Sequence, residues 1–319
     1  MIKIVDFSKN HIEDAVKIAL MNYDEEKATV NELPQIDRLP DLECFADNGL
    51  GVAMYNNNDM LGFLCCYAPW NNAFNSTAKG TFSPIHAHGA ILENRATIYK
   101  KLYQAAAEKW VRNGITYHAV GLYAHDDFAT SAFFSYGFGL RCIDAIRPMM
   151  GINYAVCNES VTFDELVKSD VVKIRELRRL LSDHLSRSPC FMYSSPEVFQ
   201  NWMKRAEARD SGIFIAKQGD KIIAFMEIKD DGENFATEVK NVQNICGAFC
   251  LPEYRGKGIA QSLLNYMIST LRAEGYDSLC VDFESFNPTA SGFWLKYFIP
   301  YTNSVVRRID ECALHKTAV

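Results

Sequence analysis

The stretch Cys250-Leu-Pro-Glu-Tyr-Arg-Gly-Lys-Gly-Ile-Ala-Gln-Ser-Leu-Leu264 decides the reading of this chain. An apolar run reads as a strand ending at Cys250. A short basic turn follows, and Gly258 to Ala273 then carries Leu263, Leu264, Met267 and Leu271 on one helical face. Gly256 and Gly258 let the main chain approach a ligand closely. The helix start adds unpaired N–H groups and a partial positive charge, and Arg255 and Lys257 add full charges beside them. The result is an anion site made largely of backbone. Two other phosphate loops are excluded. The P-loop needs Gly-Lys-Ser/Thr, but here Lys257 precedes Gly258; the dinucleotide fingerprint needs a third glycine where Gln261 stands.

Working outward, the chain is doubled. Gly51 matches Gly212 (212 − 51 = 161), and the same offset pairs Asp59 with Asp220, Ala87 with Ala248, Leu102 with Leu263, Gly114 with Gly275, Tyr136 with Tyr297 and Arg147 with Arg308. One gapless offset across the whole unit points to a tandem duplication of domains, 1–155 and 156–319, with Gly151 to Val161 as the linker.

The second copy reads as helix, helix, strand, strand, strand, helix, strand, helix, strand. Val171 to Arg187 is an amphipathic helix. Pro196 to Ala208 is a helix entered through Ser195 with proline at its first position. Strands follow at Ile213 to Ala216, Ile222 to Ile228 and Asn244 to Cys250. The glycine-turned helix leads to a strand at Leu279 to Phe283, a helix over Pro288 to Phe298 capped by Asn287, and a last strand at Ser304 to Arg308. This order gives an α/β (mixed α+β) chain whose central sheets are covered by helices on both faces.

Two blocks in this order resemble the GNAT superfamily of N-acetyltransferases. Its signature R/Q-x-x-G-x-G/A is Arg255-Gly-Lys-Gly258-Ile-Ala260, led by Pro252-Glu253-Tyr254, and its block N-x-x-A-x-x-F is Asn287-Pro-Thr-Ala290-Ser-Gly-Phe293. The likeness is strong over 162–319, while the first half resembles the family through the repeat and the strand pattern. It implies two tandem GNAT-like domains, each a central mixed, mostly antiparallel sheet flanked by helices. It also implies acetyl-CoA as co-substrate. The diphosphate would rest on the amides of Arg255, Gly256, Lys257, Gly258, Ile259 and Ala260. The pantetheine arm would pair with the strand edge at Ala248, Phe249, Cys250 and Leu251, and Asn287 and Phe293 would line the cofactor side. In the family the fourth and fifth strands splay, and the gap admits the thioester from one side and an amine from the other.

The implied activity is transfer of an acetyl group to a primary amine of a small molecule or peptide, by direct attack in a ternary complex. Many members place a tyrosine acid four residues after the alanine of the second block, where this chain has Trp294. Tyr297, three residues on, could substitute as the acid or be a packing tyrosine, in which case water or the substrate's own ammonium would serve. The strand-four glutamate of many members is also missing, which makes Glu284 the expected base, with Asp282 and Glu227 as the other nearby carboxylates. His184, near the end of the first helix, could reach the acceptor side but reads first as a surface histidine. The alternative is a non-catalytic CoA-binding or interaction protein on the same fold, motivated by Trp294 and the missing glutamate.

The offset maps the glycine turn of the second copy onto Asn94, Arg95, Thr97 and Tyr99, and Asn287 onto Asp126. The first copy therefore reads as degenerate, without the usual CoA site. His86 and His88 share a strand face, with His118 and His125 elsewhere, but no cysteine or carboxylate stands at ligand spacing, and no metal is expected. Phe128, Phe133, Phe134, Tyr136 and Phe138 read as core.

Composition sets the outer bounds. The 319 residues are 48% hydrophobic and 23% charged, ordinary for a globular protein, and the net charge of −6 speaks against nucleic acid as a partner. No apolar run approaches the ~18–20 residues that cross a bilayer. The first residues lack an export signal, and ten cysteines without C-x-x-C spacing read as thiols of a reducing cytoplasm.

Overall fold

A computed structural model describes residues 1–153, 160–208 and 212–316. The first half forms β1 (Ile2–Asp6), α1 (Ile12–Thr29), α2 (Glu43–Asp47), β2 (Val52–Asn56), β3 (Asp59–Leu64), β4 (Gly80–Ser83), β5 (His88–Ala90), α3 (Arg95–Arg112), β6 (Tyr117–Tyr123), α4 (Asp127–Phe134) and β7 (Gly139–Pro148). The second forms β8 (Val161–Leu166), α5 (Arg175–Ser186), α6 (Pro196–Ala208), β9 (Ile213–Gln218), β10 (Lys221–Lys229), β11 (Val242–Cys250), α7 (Ile259–Ala273), β12 (Ser278–Glu284), α8 (Pro288–Trp294) and β13 (Ile299–Arg308). The repeat survives in these bounds: β6 and β12 start 161 residues apart (278 − 117), as do α4 and α8 (288 − 127). Two expected helices are shorter than their apolar patterns. The first turns of the Val171 helix are 3-10 (Lys168–Ile174), and α8 stops at Trp294.

Packing divides the chain into residues 1–143 with 300–319, and residues 144–299, rather than at 155/156. The expected linker over Gly151 to Val161 lies partly outside the described residues. Within the first unit, β13 runs antiparallel to β6, from Thr302 opposite Tyr123 to Arg308 opposite Tyr117. Within the second, β7 from Asp144 onward neighbours β12, and the Met149 N–H donates to the Asp277 carbonyl at 2.8 Å. The last strand of the second half thus lies in the first unit from Pro300 on, and the last strand of the first half lies in the second unit from Asp144 on. The two strands are copies, so either one can satisfy the backbone edge of either partner.

In the first unit β1, β2, β3 and β5 form an antiparallel sheet, and β4 pairs in parallel with β6. Its core gathers Tyr99, Tyr103 and Trp110 of α3 around Phe133 and Phe138. The expected aromatic core is only partly realised, because Phe128 and Phe134 point outward, 54% and 45% exposed. In the second unit β8 to β11 are consecutive antiparallel neighbours, and β12 joins β11 in parallel. Helix α7 packs on β9 and β10, and α5 on β10 and β11. Among the described residues no helix is long and apolar enough to cross a membrane.

Candidate active site

The second unit builds its cleft where two strands part. β11 and β12 pair from Val242 opposite Ser278 to Ile245 opposite Val281, and no further. β11 continues to Cys250 alongside β10, with a bulge at Cys246: Glu227 faces Gly247, but Ile228 faces Ile245. A bulge sharpens the local twist and turns the strand. The edge of β11 facing the parting therefore carries backbone groups without a strand partner from β12.

Beyond β11 the chain turns through Gly256 (φ +72°) and Gly258 (φ +77°), left-handed values that side chains with a Cβ adopt at a cost. Gly258 is the N-cap of α7, and the first backbone bond of that helix is Ser262 N–H to the Gly258 carbonyl, 2.9 Å. The amides of Ile259, Ala260 and Gln261 precede that bond and are those a helix start leaves open. A Cβ on Gly256 would meet nothing within 4 Å, so its surroundings are clear for a ligand. Arg255 folds back to the strand: its Nε donates to the Cys250 carbonyl at 2.9 Å, and its guanidinium carbon lies 5.2 Å from the Phe249 ring centre.

The cleft, about 390 Å³, runs from this turn along β11. Ala248, Phe249, Cys250, Arg255, Gly256, Ile259 and Ala260 line it from one end, and Asn287 and Phe293 from α8, as expected from the sequence. Leu251, Lys257 and Gly258 do not line it. Leu251 is buried, with its N–H given to the Ile223 carbonyl at 2.9 Å. Lys257 is exposed over the Tyr254 ring, and Gly258 acts by bending the chain. Asn287 caps α8, its Oδ1 accepting from the Thr289 and Ala290 amides, so its side-chain NH2 is what remains for a ligand.

The two residues expected as acid and base stand off the cleft lining. Tyr297 packs edge-on against Phe293, ring centres 5.3 Å apart, while Trp294 lines the cleft in its place. Glu284 closes β12 and is not a lining residue. Asp282 is the first β12 residue past its last paired position. Burial, then the carboxylates of Glu233 and Asp144, hold its carboxyl well above the usual range. Glu227 is 2% exposed and committed to Arg178 of α5 at 2.5 Å. That guanidinium also lies 3.7 Å from the Trp202 ring centre and closes against Gly247, where a Cβ would collide with it.

For His184 the structure favours the cleft side over the surface reading. It lines the cleft with Leu181, its ring centre 6.5 Å from that of Phe249, and its Nε2 is buried without a hydrogen-bond partner among the described residues. The signal was present: Leu177, Leu181 and His184 follow helical spacing, so the imidazole sits on the apolar stripe. In the first unit His88 and His118 have both ring nitrogens engaged, His88 with Tyr99 OH and the Gly121 carbonyl, His118 with Tyr103 OH and the Ile115 carbonyl. Among the described residues no group of three or more His, Cys, Asp or Glu is placed to hold a metal.

Comparison with known proteins agrees with this geometry. Residues 174–298 match the model of the acetyltransferase (GNAT) family. A GCN5-related N-acetyltransferase from Sphaerobacter thermophilus superposes with a TM-score of 0.60 at 10% identity, over 96% of this chain and 95% of that one. A GCN5-related glucosamine N-acetyltransferase region of a fungal multi-domain GH3 beta-N-acetylglucosaminidase superposes at 0.52 and 12% identity, over 96% of this chain and 38% of that one. A search of curated proteins gives no match. Identities this low establish shared fold, which here spans both units, and the family match spans α5 through α8. The stretch that matches the acetyltransferase (GNAT) family model lies within the second unit of this protein.

Proposed function

We propose that the protein transfers an acetyl group from acetyl-CoA to a primary amine of a small molecule or peptide, by direct attack in a ternary complex, in the cleft of its second unit. The observation that carries this reading is the parting of β11 from β12 after Ile245 and Val281, next to a helix start opened by two left-handed glycines. The residues fit the co-substrate. Open amides at the start of α7, with clear space at Gly256, suit a diphosphate, and the unpaired edge of β11 suits the amide groups of a pantetheine arm. When bound, acetyl-CoA supplies an activated thioester.

The chain supplies position and exclusion of water. Phe249, Phe293 and Trp294 give the cleft apolar walls. Edge amides of β11 past the bulge are donors for a carbonyl oxygen that gains charge. Holding both reactants in one cleft is worth up to ~7–11 kcal/mol of barrier. The first unit, in this reading, does not bind CoA, because Arg95 and Asp126 pair where the second unit keeps its turn open. The described cysteines are free thiols, which suits a cytoplasmic protein.

A thiol-release assay with acetyl-CoA and four amines (glucosamine, L-lysine, spermidine and a tetrapeptide) tests the reading; release with at least one is expected. One observation favours a second reading, CoA binding without catalysis: Trp294 faces the cleft while Tyr297 and Glu284 do not. Stabilisation by acetyl-CoA without thiol release from any amine would select it.

A further inference from the structure

Five titratable side chains line the cleft: His184, Cys250, Tyr254, Arg255 and Lys296. Arg255 and Lys296 are cations with no lone pair to offer. Burial pushes the Cys250 thiol up to about 11, so it keeps its proton. The Tyr254 hydroxyl donates to Gln218 Oε1 at 2.9 Å. His184 alone brings an imidazole to the lining, and its Nε2 is buried in the wall with no hydrogen-bond partner among the described residues.

Strand alternation says which wall this is. Phe225 and Glu227 on β10 lie opposite Phe249 and Gly247 on β11, and α5 meets these four: Arg178 at Phe225, Glu227 and Gly247, His184 at Phe249. Ala224, Met226, Ala248 and Cys250 alternate to the opposite face. His184 thus stands on the α5 side of the parted strands, across the sheet from the residues that alternate away from it.

We propose that His184, on the cleft lining, is the general base, its imidazole taking a proton from the incoming ammonium; this rests on the acetyl-transfer reading. The ammonium gives one proton to the imidazole. Its freed electron pair forms the N–C bond to the acetyl carbon, and the C–S bond breaks with its pair going to sulfur. A second nitrogen proton passes to the thiolate, leaving a neutral amide and CoA thiol, and His184 returns its proton to water. The charged and titratable neighbours are Arg255 beyond the Phe249 ring, Cys250 on β11, Tyr254 in the turn, Lys296 after α8, and Asp183 and Arg187 on or beside α5. Asp183 is held by Arg179 at 2.6 Å.

The test uses full-length protein, acetyl-CoA and whichever of the four amines above turns over fastest. His184→Gln is expected to lower kcat about 100-fold, within the range for loss of a general base, with the KM for acetyl-CoA within about twofold. The pH profile of kcat/KM changes shape in that variant, and added imidazole partly restores His184→Ala. Apart from turnover, the His184 ring resonance, identified by its loss in His184→Gln, shifts when acetyl-CoA is titrated into the wild type. A His184→Gln enzyme with an unchanged rate and pH profile, or a ring resonance indifferent to acetyl-CoA, overturns the proposal. So does acetyl-CoA binding with no amine turned over. Failure of the wild type to bind acetyl-CoA overturns instead the reading of the cleft, and this proposal with it.

Discussion

The repeat sets two helix starts in corresponding places, and they have opposite characters. In the second unit residues 256–258 stay a turn, and α7 begins at Ile259. The corresponding residues of the first unit, 95–97 (256 − 161 and 258 − 161), are already wound into α3, whose N-cap is Asn94. Arg95 is buried there, 4% exposed, and its Nη1 reaches Glu25 at 2.7 Å and Asp126 at 3.2 Å. Asp126 caps α4 through the Ala129 amide, as Asn287 caps α8 (287 − 126 = 161). What remains is a hollow of about 50 Å³ against about 390 Å³. The strand behind differs too. β11 bends at a bulge but stays whole, whereas its counterpart is broken into β4 and β5 around Pro84. An anion site of this kind needs open amides and no resident anion; in the first unit the Arg95–Asp126 ion pair fills the corresponding place.

The largest expected effect separates the units by acid. Burial lowers His86, His88 and His118, all in the first unit, from 6.5 to about 4. Such a histidine binds its proton more readily when unfolded, so its contribution is complete above about pH 6.5 and is lost as pH falls toward 4. Each is worth up to ~3 kcal/mol. Glu26 and Asp126, raised chiefly by burial, act in the opposite sense and blunt the loss. The second unit holds only His184. Hydrogen exchange corrected for pH should therefore show first-unit amides losing protection first between pH 6.5 and 4.5; equal loss in both units would break the contrast.

Next is Arg95→Ala, which leaves the Asp126 carboxylate buried without its partner. Urea denaturation should show a loss of about 3 kcal/mol, most of it from Asp126 because Glu25 is 38% exposed. Acetyl-CoA affinity should not change. Gly258→Ala forces a Cβ into a left-handed residue at about 1–2 kcal/mol, read as a lower melting temperature and weaker acetyl-CoA binding. The smallest change is the most pointed: Asn287→Asp puts the first unit's cap charge into the second unit's cleft. Aspartate caps as well as asparagine, so stability should hold, while acetyl-CoA binding by calorimetry weakens about tenfold, ~1.4 kcal/mol.

Much of this contrast was legible in the residues, because it rests on local chemistry. Two glycines at a strand-to-helix turn, and their replacement by Asn94 to Thr97, can be read without coordinates. So can the strand–helix order around the motif. The strand exchange could not be read. β7 and β13 are copies, and a repeat offset does not say which copy pairs with β6 and which with β12. Nor could the facing of single side chains. His184 reads as a surface residue until α5 is docked on β11, and whether Glu284 and Tyr297 face the cleft depends on the twist of β12 and on Phe293 packing over Tyr297.

The number of acetyl-CoA molecules bound per chain, measured by isothermal titration calorimetry on the full-length protein, tests the central claim most directly. One site per chain, abolished by Gly258→Glu and untouched by Arg95→Ala, is the predicted result. Two sites, or one that survives Gly258→Glu, would contradict it.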